Sequence, residues 1–210
     1  MKISFWLLLA MAFFVSPVLA DDTDDAAMAA ARSFVFAALP GQCDDMSTFA
    51  DEPDIGDAAY RLSWKPDWGG DNEPDLQATL YRIFCFAGAY NLIHAYVFKP
   101  DDDHLSLMTF AEPTYRYDYA DEDQTALKSP PQVTGFSTTS TLVNSEFDPV
   151  TLTLTSASHW RGLGDAWSGG TWELKSGRFV LKSYDVDPTY DFNNDSATDA
   201  QIEKYYRLYP

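Results

Sequence analysis

The chain has 210 residues, with 32 acidic against 14 basic side chains and a net charge of −18, which makes nucleic acid and anionic lipid poor partners. Neither cysteine stands in a Cys-x-x-Cys pair, and His94, His104 and His159 have no ligand spacing, so a zinc scaffold is excluded as well. Most of the acids are Asp, the residue of caps and turns, so runs such as Asp101-Asp102-Asp103 and Asp121-Glu122-Asp123 read as solvated loops. A cationic protein is the partner such a surface would suit.

Lys2, the apolar run 3–15 and the short side chains from Ser16 to Ala20 form a secretory signal peptide with cleavage after Ala20. Its apolar core of about 13 residues is shorter than the ~20 a bilayer span needs, and no second such stretch follows. The expected location is the periplasm or the extracellular space, with residues 21–210 as a single β-rich domain able to bury its own core. In an oxidising compartment Cys43 and Cys85 are expected to form a disulfide.

An alanine-rich stretch over 24–39, capped by Asp residues and stopped by Pro40-Gly41, predicts a helix. Beyond it, aromatic and β-branched runs separated by Asp, Gly and Pro predict antiparallel strands at 60–65, 76–86, 90–98, 104–110, 133–143, 150–156, 171–175 and 178–184. From Val150 to Thr155 apolar residues alternate with threonine. Ser176-Gly177 reads as a two-residue hairpin turn that should put Trp172, Leu174, Phe179 and Leu181 on the core face. The spacing of Ile202, Tyr205, Tyr206 and Tyr209 predicts a helix over about 198–208. The fold class is mainly β (α+β): antiparallel sheets with an N-terminal helix and a short C-terminal helix.

Three constellations bear on chemistry. Tyr115, Tyr117 and Tyr119 alternate with polar residues, so in a strand their rings share one face, either core or a binding surface for a glycan or peptide. Asp191, Asn193, Asp195 and Asp199 occupy positions 1, 3, 5 and 9 of a calcium loop, but Ser196 stands where the turn wants glycine and Glu203 comes one place late. A solvated Asn/Asp turn explains them without a cofactor. Ser158, His159 and Asp165 lack a strained G-x-S-x-G elbow, and no residue is assigned a catalytic role.

The run Phe84-Cys85-Phe86-Ala87-Gly88-Ala89-Tyr90-Asn91, followed by Gly162-Leu163-Gly164-Asp165, Gly169-Gly170-Thr171-Trp172 and Phe179, resembles domain-of-unknown-function family 1176, a family of secreted proteobacterial proteins. The resemblance rests on Cys85, Gly88, Ala89, Tyr90, Asn91, Gly164, Asp165 and Trp172 and covers roughly residues 81–190. The family pattern has a cysteine after Gly-Asp and another downstream; here Ala166 follows Asp165 and no cysteine follows Cys85. The resemblance implies a periplasmic β-rich protein and no activity.

On chemical grounds Asn91 can satisfy buried backbone groups, Gly88 allows a tight turn, Tyr90 can fill core, and Asp165 can fix its loop. The sequence as a whole reads as a non-enzymatic envelope protein, binding or structural, with a cationic protein or envelope glycan as partner. The alternatives are a hydrolase of cell-envelope material with Asp165 and His159 as acid and base, and a calcium-stabilised module.

Overall fold

The computed structural model describes residues 22–43, 47–52, 54–66, 73–101, 104–191 and 204–210; residues 1–20, read from the sequence as a signal peptide, lie outside them. Helix α1 (Asp22–Ala38) and a single helical turn, α2 (Ser47–Ala50), precede β1 (Ala58–Trp64), β2 (Leu76–Ala87), β3 (Leu92–Pro100) and β4 (Ser106–Leu107). Then come β5 (Phe110–Arg116), β6 (Gln132–Thr139), β7 (Thr141–Val143), β8 (Glu146–Asp148) and β9 (Thr153–His159). The last strands are β10 (Trp167–Lys175), β11 (Arg178–Asp187) and β12 (Tyr206–Tyr209).

One sheet runs β1-β2-β3-β4 with β7 also on β3, a second runs β12-β11-β10-β9-β8, and β5-β6 is a separate hairpin. β2 is buried on both faces, which explains its nearly unbroken apolar run. Ala78 and Leu80 join Tyr96, Phe110, Trp172 and Leu181 in the core between the sheets. Tyr81, Ile83 and Cys85 face the other way, onto Ala31, Val35 and Leu39 of α1 and the residue that closes it. The helix is therefore a third layer, and each fully buried aliphatic or aromatic side chain stabilises the stack by about 1.5–3 kcal/mol.

Cys43 and Cys85 form the expected disulfide, with Cα atoms 4.3 Å apart. It ties the segment leaving α1 to the middle of the first sheet. The Ser176-Gly177 turn also stands, both residues having positive φ (47° and 74°), and Trp172, Leu174, Phe179 and Leu181 are buried as predicted.

Four expectations need correction. The strand over 104–110 is two pieces, β4 and the start of β5, because the chain leaves the first sheet at Met108 to bury Phe110 in the central core. The strand over 133–143 also divides, β6 pairing with β5 and β7 with β3. The alternation from Val150 does not begin a strand: the Asp148 carboxylate accepts hydrogen bonds from the Val150 and Thr151 amides and the Thr151 hydroxyl, folding a turn that leaves Leu152 at φ 55°. The short C-terminal helix is replaced over 206–209 by β12, which completes the open edge of β11, while 198–203 lie outside the described residues.

Candidate functional site

The two resembling motifs meet at one end of the sandwich. Asn91 Nδ2 donates to the His159 carbonyl at 2.8 Å, and its Oδ1 accepts from the His159 amide at 3.1 Å. The same Oδ1 accepts from Asn144 Nδ2, which also donates to the Ala157 carbonyl. Tyr90 lies over Gly162, where a Cβ would come within 3.4 Å of its ring, and its hydroxyl donates to the Trp160 carbonyl. Tyr90 therefore covers the loop and stays 43% exposed, rather than filling core. Gly88 closes the turn through its amide to the Asn91 carbonyl. Asp165, its side chain fully buried, holds the Arg161 guanidinium through two hydrogen bonds, and Arg161 lies over the Tyr190 ring. These partners make Asn91, Tyr90 and Asp165 a latch between strands and a loop, with Ala166 buried beside it.

Beside the latch lies a cavity of about 230 Å³ that the sequence did not announce. Its walls come from hydroxyl side chains, among them Thr141, Ser156, Ser158, Ser168 and Tyr184, and its single ionisable acid is Glu112. Ser156 and Ser158 share a face of β9, while Ser168, Gly170 and Trp172 belong to β10, so strand alternation delivers the hydroxyls together. The glycines are required: a Cβ at Gly169 would sit 2.5 Å from the Ser156 carbonyl oxygen, and one at Gly170 2.4 Å from the Trp172 ring. The Trp172 indole lies against its own strand and donates to the Ala111 carbonyl at 2.9 Å, which pins β5 here and places Glu112 in the wall.

Among the described residues no hydrogen bond or ion pair reaches the Glu112 carboxylate, and burial raises it above the ordinary glutamate range. Burial raises the neighbouring Tyr115 and Tyr184 phenols, with the Glu112 charge adding to it in both and, for Tyr115, ranking behind the Tyr184 and Tyr117 phenols. Both phenols hydrogen-bond Ser168, which softens that rise. One sequence signal could have found the acid: Glu112 stands two residues after Phe110, in phase with a core residue of the same strand.

The tyrosine row is half-buried and its rings are turned on one another. Tyr115 stacks with Tyr117 at 6.2 Å, Tyr117 with Trp160 at 6.3 Å, and Tyr119 meets Tyr117 edge-on at 5.4 Å. Their faces are thereby occupied, and the row runs from the cavity wall at Ser168 toward the latch. Asn193, Asp195 and Asp199 lie outside the described residues, whereas Asp191 pairs with Lys204 at 3.0 Å. Ser158 and His159 are neighbours on a strand and point to opposite faces, so they do not act as one pair.

A second cavity, of about 560 Å³, brings together Arg82, His94, Ser145 and Tyr60. His94 Nε2 donates to the Ile55 carbonyl at 2.7 Å, leaving Nδ1 to accept from the Ser145 hydroxyl at 3.4 Å, while the Tyr96 hydroxyl bonds Ser145 at 2.9 Å. Burial, with the charge of Arg82 in the same direction, lowers the imidazole to about 4 and keeps it neutral. Arg82 itself donates to the Gly56 and Asp54 carbonyls.

The family described as Protein of unknown function (DUF1176) matches residues 75–197, which hold the latch and every residue lining the first cavity, whereas Asp54, Ala58 and Tyr60 of the second cavity precede the match. No curated protein and no solved structure matches the chain.

Proposed function

The chain belongs to the DUF1176 family, whose description assigns no activity, and on that premise we propose a non-enzymatic binding protein of the periplasm or extracellular space. Its ligand site is the Glu112 cavity. The observation behind the reading is a half-buried carboxyl that has no side-chain partner among the described residues and faces a space of about 230 Å³ lined largely by hydroxyls. A volume below the usual ~300–1,000 Å³ of drug-sized pockets suits a small polar ligand such as one sugar unit of an envelope glycan. Location rests on the leader sequence and on the Cys43–Cys85 disulfide, which fits an oxidising compartment.

A thermal-shift screen of the purified protein against glucose, N-acetylglucosamine, glucosamine and a basic protein tests the reading. Stabilisation by a sugar that disappears in Glu112→Gln supports it. Stabilisation by the basic protein alone, undiminished in that variant, moves the function to the acidic surface.

The alternative, a hydrolase of envelope material, finds better support at Ser145 and His94 than at Asp165, whose carboxylate is held by Arg161. Covalent labelling of Ser145 by a fluorophosphonate, lost in His94→Gln, is its test.

A further inference from the structure

The geometry of the Glu112 cavity points to a small, hydroxylated primary ammonium compound, of the amino-sugar or amino-alcohol kind, as its ligand. The inference rests on the cavity being the ligand site and names the chemistry that would enter it.

A carboxylate taken partly out of water is costly unless a cation or hydrogen-bond donors meet it. Among the described residues no Lys or Arg pairs with Glu112 and no donor is within hydrogen-bond distance of its carboxylate; every ion pair found among them lies elsewhere. Besides Leu142, Val143, Trp172 and two glycines, the remaining wall offers groups that accept as well as donate, namely the Ser158, Thr141 and Tyr184 hydroxyls, together with Ser168, which already accepts from the Trp160 indole. An ammonium brings three donors and no acceptor, so it matches one carboxylate and a ring of hydroxyl oxygens. An anionic ligand would meet an uncompensated negative charge at the wall, inside a chain of net charge −18. A neutral sugar would satisfy the hydroxyls and leave the carboxylate without its counter-charge. The cavity's volume, about 230 Å³, limits the ligand to roughly one ring or a short chain.

Calorimetric titration with D-glucosamine, ethanolamine, N-acetylglucosamine and glucose tests the inference. Acetylation removes the charge and keeps the ring, so it isolates the ammonium. The expected result is binding of glucosamine and ethanolamine, about tenfold weaker for the acetylated and neutral sugars, with that preference lost in Glu112→Gln and retained in Glu112→Asp. Equal binding of glucosamine and glucose, still weakened by Glu112→Gln, would overturn the ammonium inference and leave the cavity as the binding site. Binding by none of the four, in a protein whose melting temperature matches the unliganded control, would overturn both.

Discussion

Asn144 Nδ2 and Asn91 Oδ1 are 2.9 Å apart, and with the bonds of the same two amides to the His159 and Ala157 carbonyls they fasten together the turn before β3, the turn after β7 and the end of β9. Asn144 also accepts from the Leu92 amide at 2.8 Å and holds a left-handed φ of 44°, a conformation asparagine tolerates better than most residues. Replacing Asn144 with alanine removes the amide and strains the backbone. The expected loss is about 2–3 kcal/mol of unfolding free energy in urea. Asn144→Gly should recover the backbone share only, so it should fall between the two; equal stability of wild type and Asn144→Ala would dismiss the latch.

The disulfide joins residues separated by 42 positions, and the chain-entropy argument gives about 4 kcal/mol for a ring of that size. Reduction, or the double variant Cys43→Ser/Cys85→Ser, should lower stability by about that amount. Because the bridge anchors α1 to β2, amide exchange should rise first in α1 and at Tyr81, Ile83 and their neighbours. Uniform exchange across both sheets would contradict that placement.

His94 gives the fold a defined acid sensitivity. Burial, aided by Arg82 and opposed by the hydrogen bond to Ile55, lowers the folded imidazole to about 4 from 6.5. Between those values the unfolded chain binds a proton that the folded protein does not, so stability is full above pH 6.5 and falls as pH drops toward 4. The contribution lost is about 3 kcal/mol. Urea midpoints of wild type and His94→Gln at several pH values isolate it: the variant should lose this part of the slope, and identical slopes would rule it out.

Much of the sheet was legible because the local rules agreed with the tertiary result. Trp172, Leu174, Phe179 and Leu181 fell on one face, and Ser176-Gly177 has the chemistry its turn requires. Errors came where the chain changes sheet, at Met108 and between Thr139 and Thr141, since a crossing leaves no mark in periodicity. The helix read by spacing over about 198–208 gives way from Tyr206 to β12, because the open edge of β11 offered hydrogen bonds that a helix would have left unused. At the site, the motif residues Asn91, Tyr90 and Asp165 were visible, but the roles of Asn91 and Tyr90 depend on His159 and Trp160, 68 and 70 positions away, whereas Asp165 is held by Arg161 within its own loop. Glu112 was overlooked because a single acid in a strand resembles a solvated residue until its phase with Phe110 is counted.

The most direct test of the central claim is a map of backbone amide shifts in the folded protein as D-glucosamine is added. The account predicts saturating changes concentrated at Glu112, Thr141, Ser158, Ser168, Gly169 and Gly170, and their disappearance in Glu112→Gln. Changes centred instead on the acidic run at Asp121-Glu122-Asp123, or an unaltered map in Glu112→Gln, would contradict it.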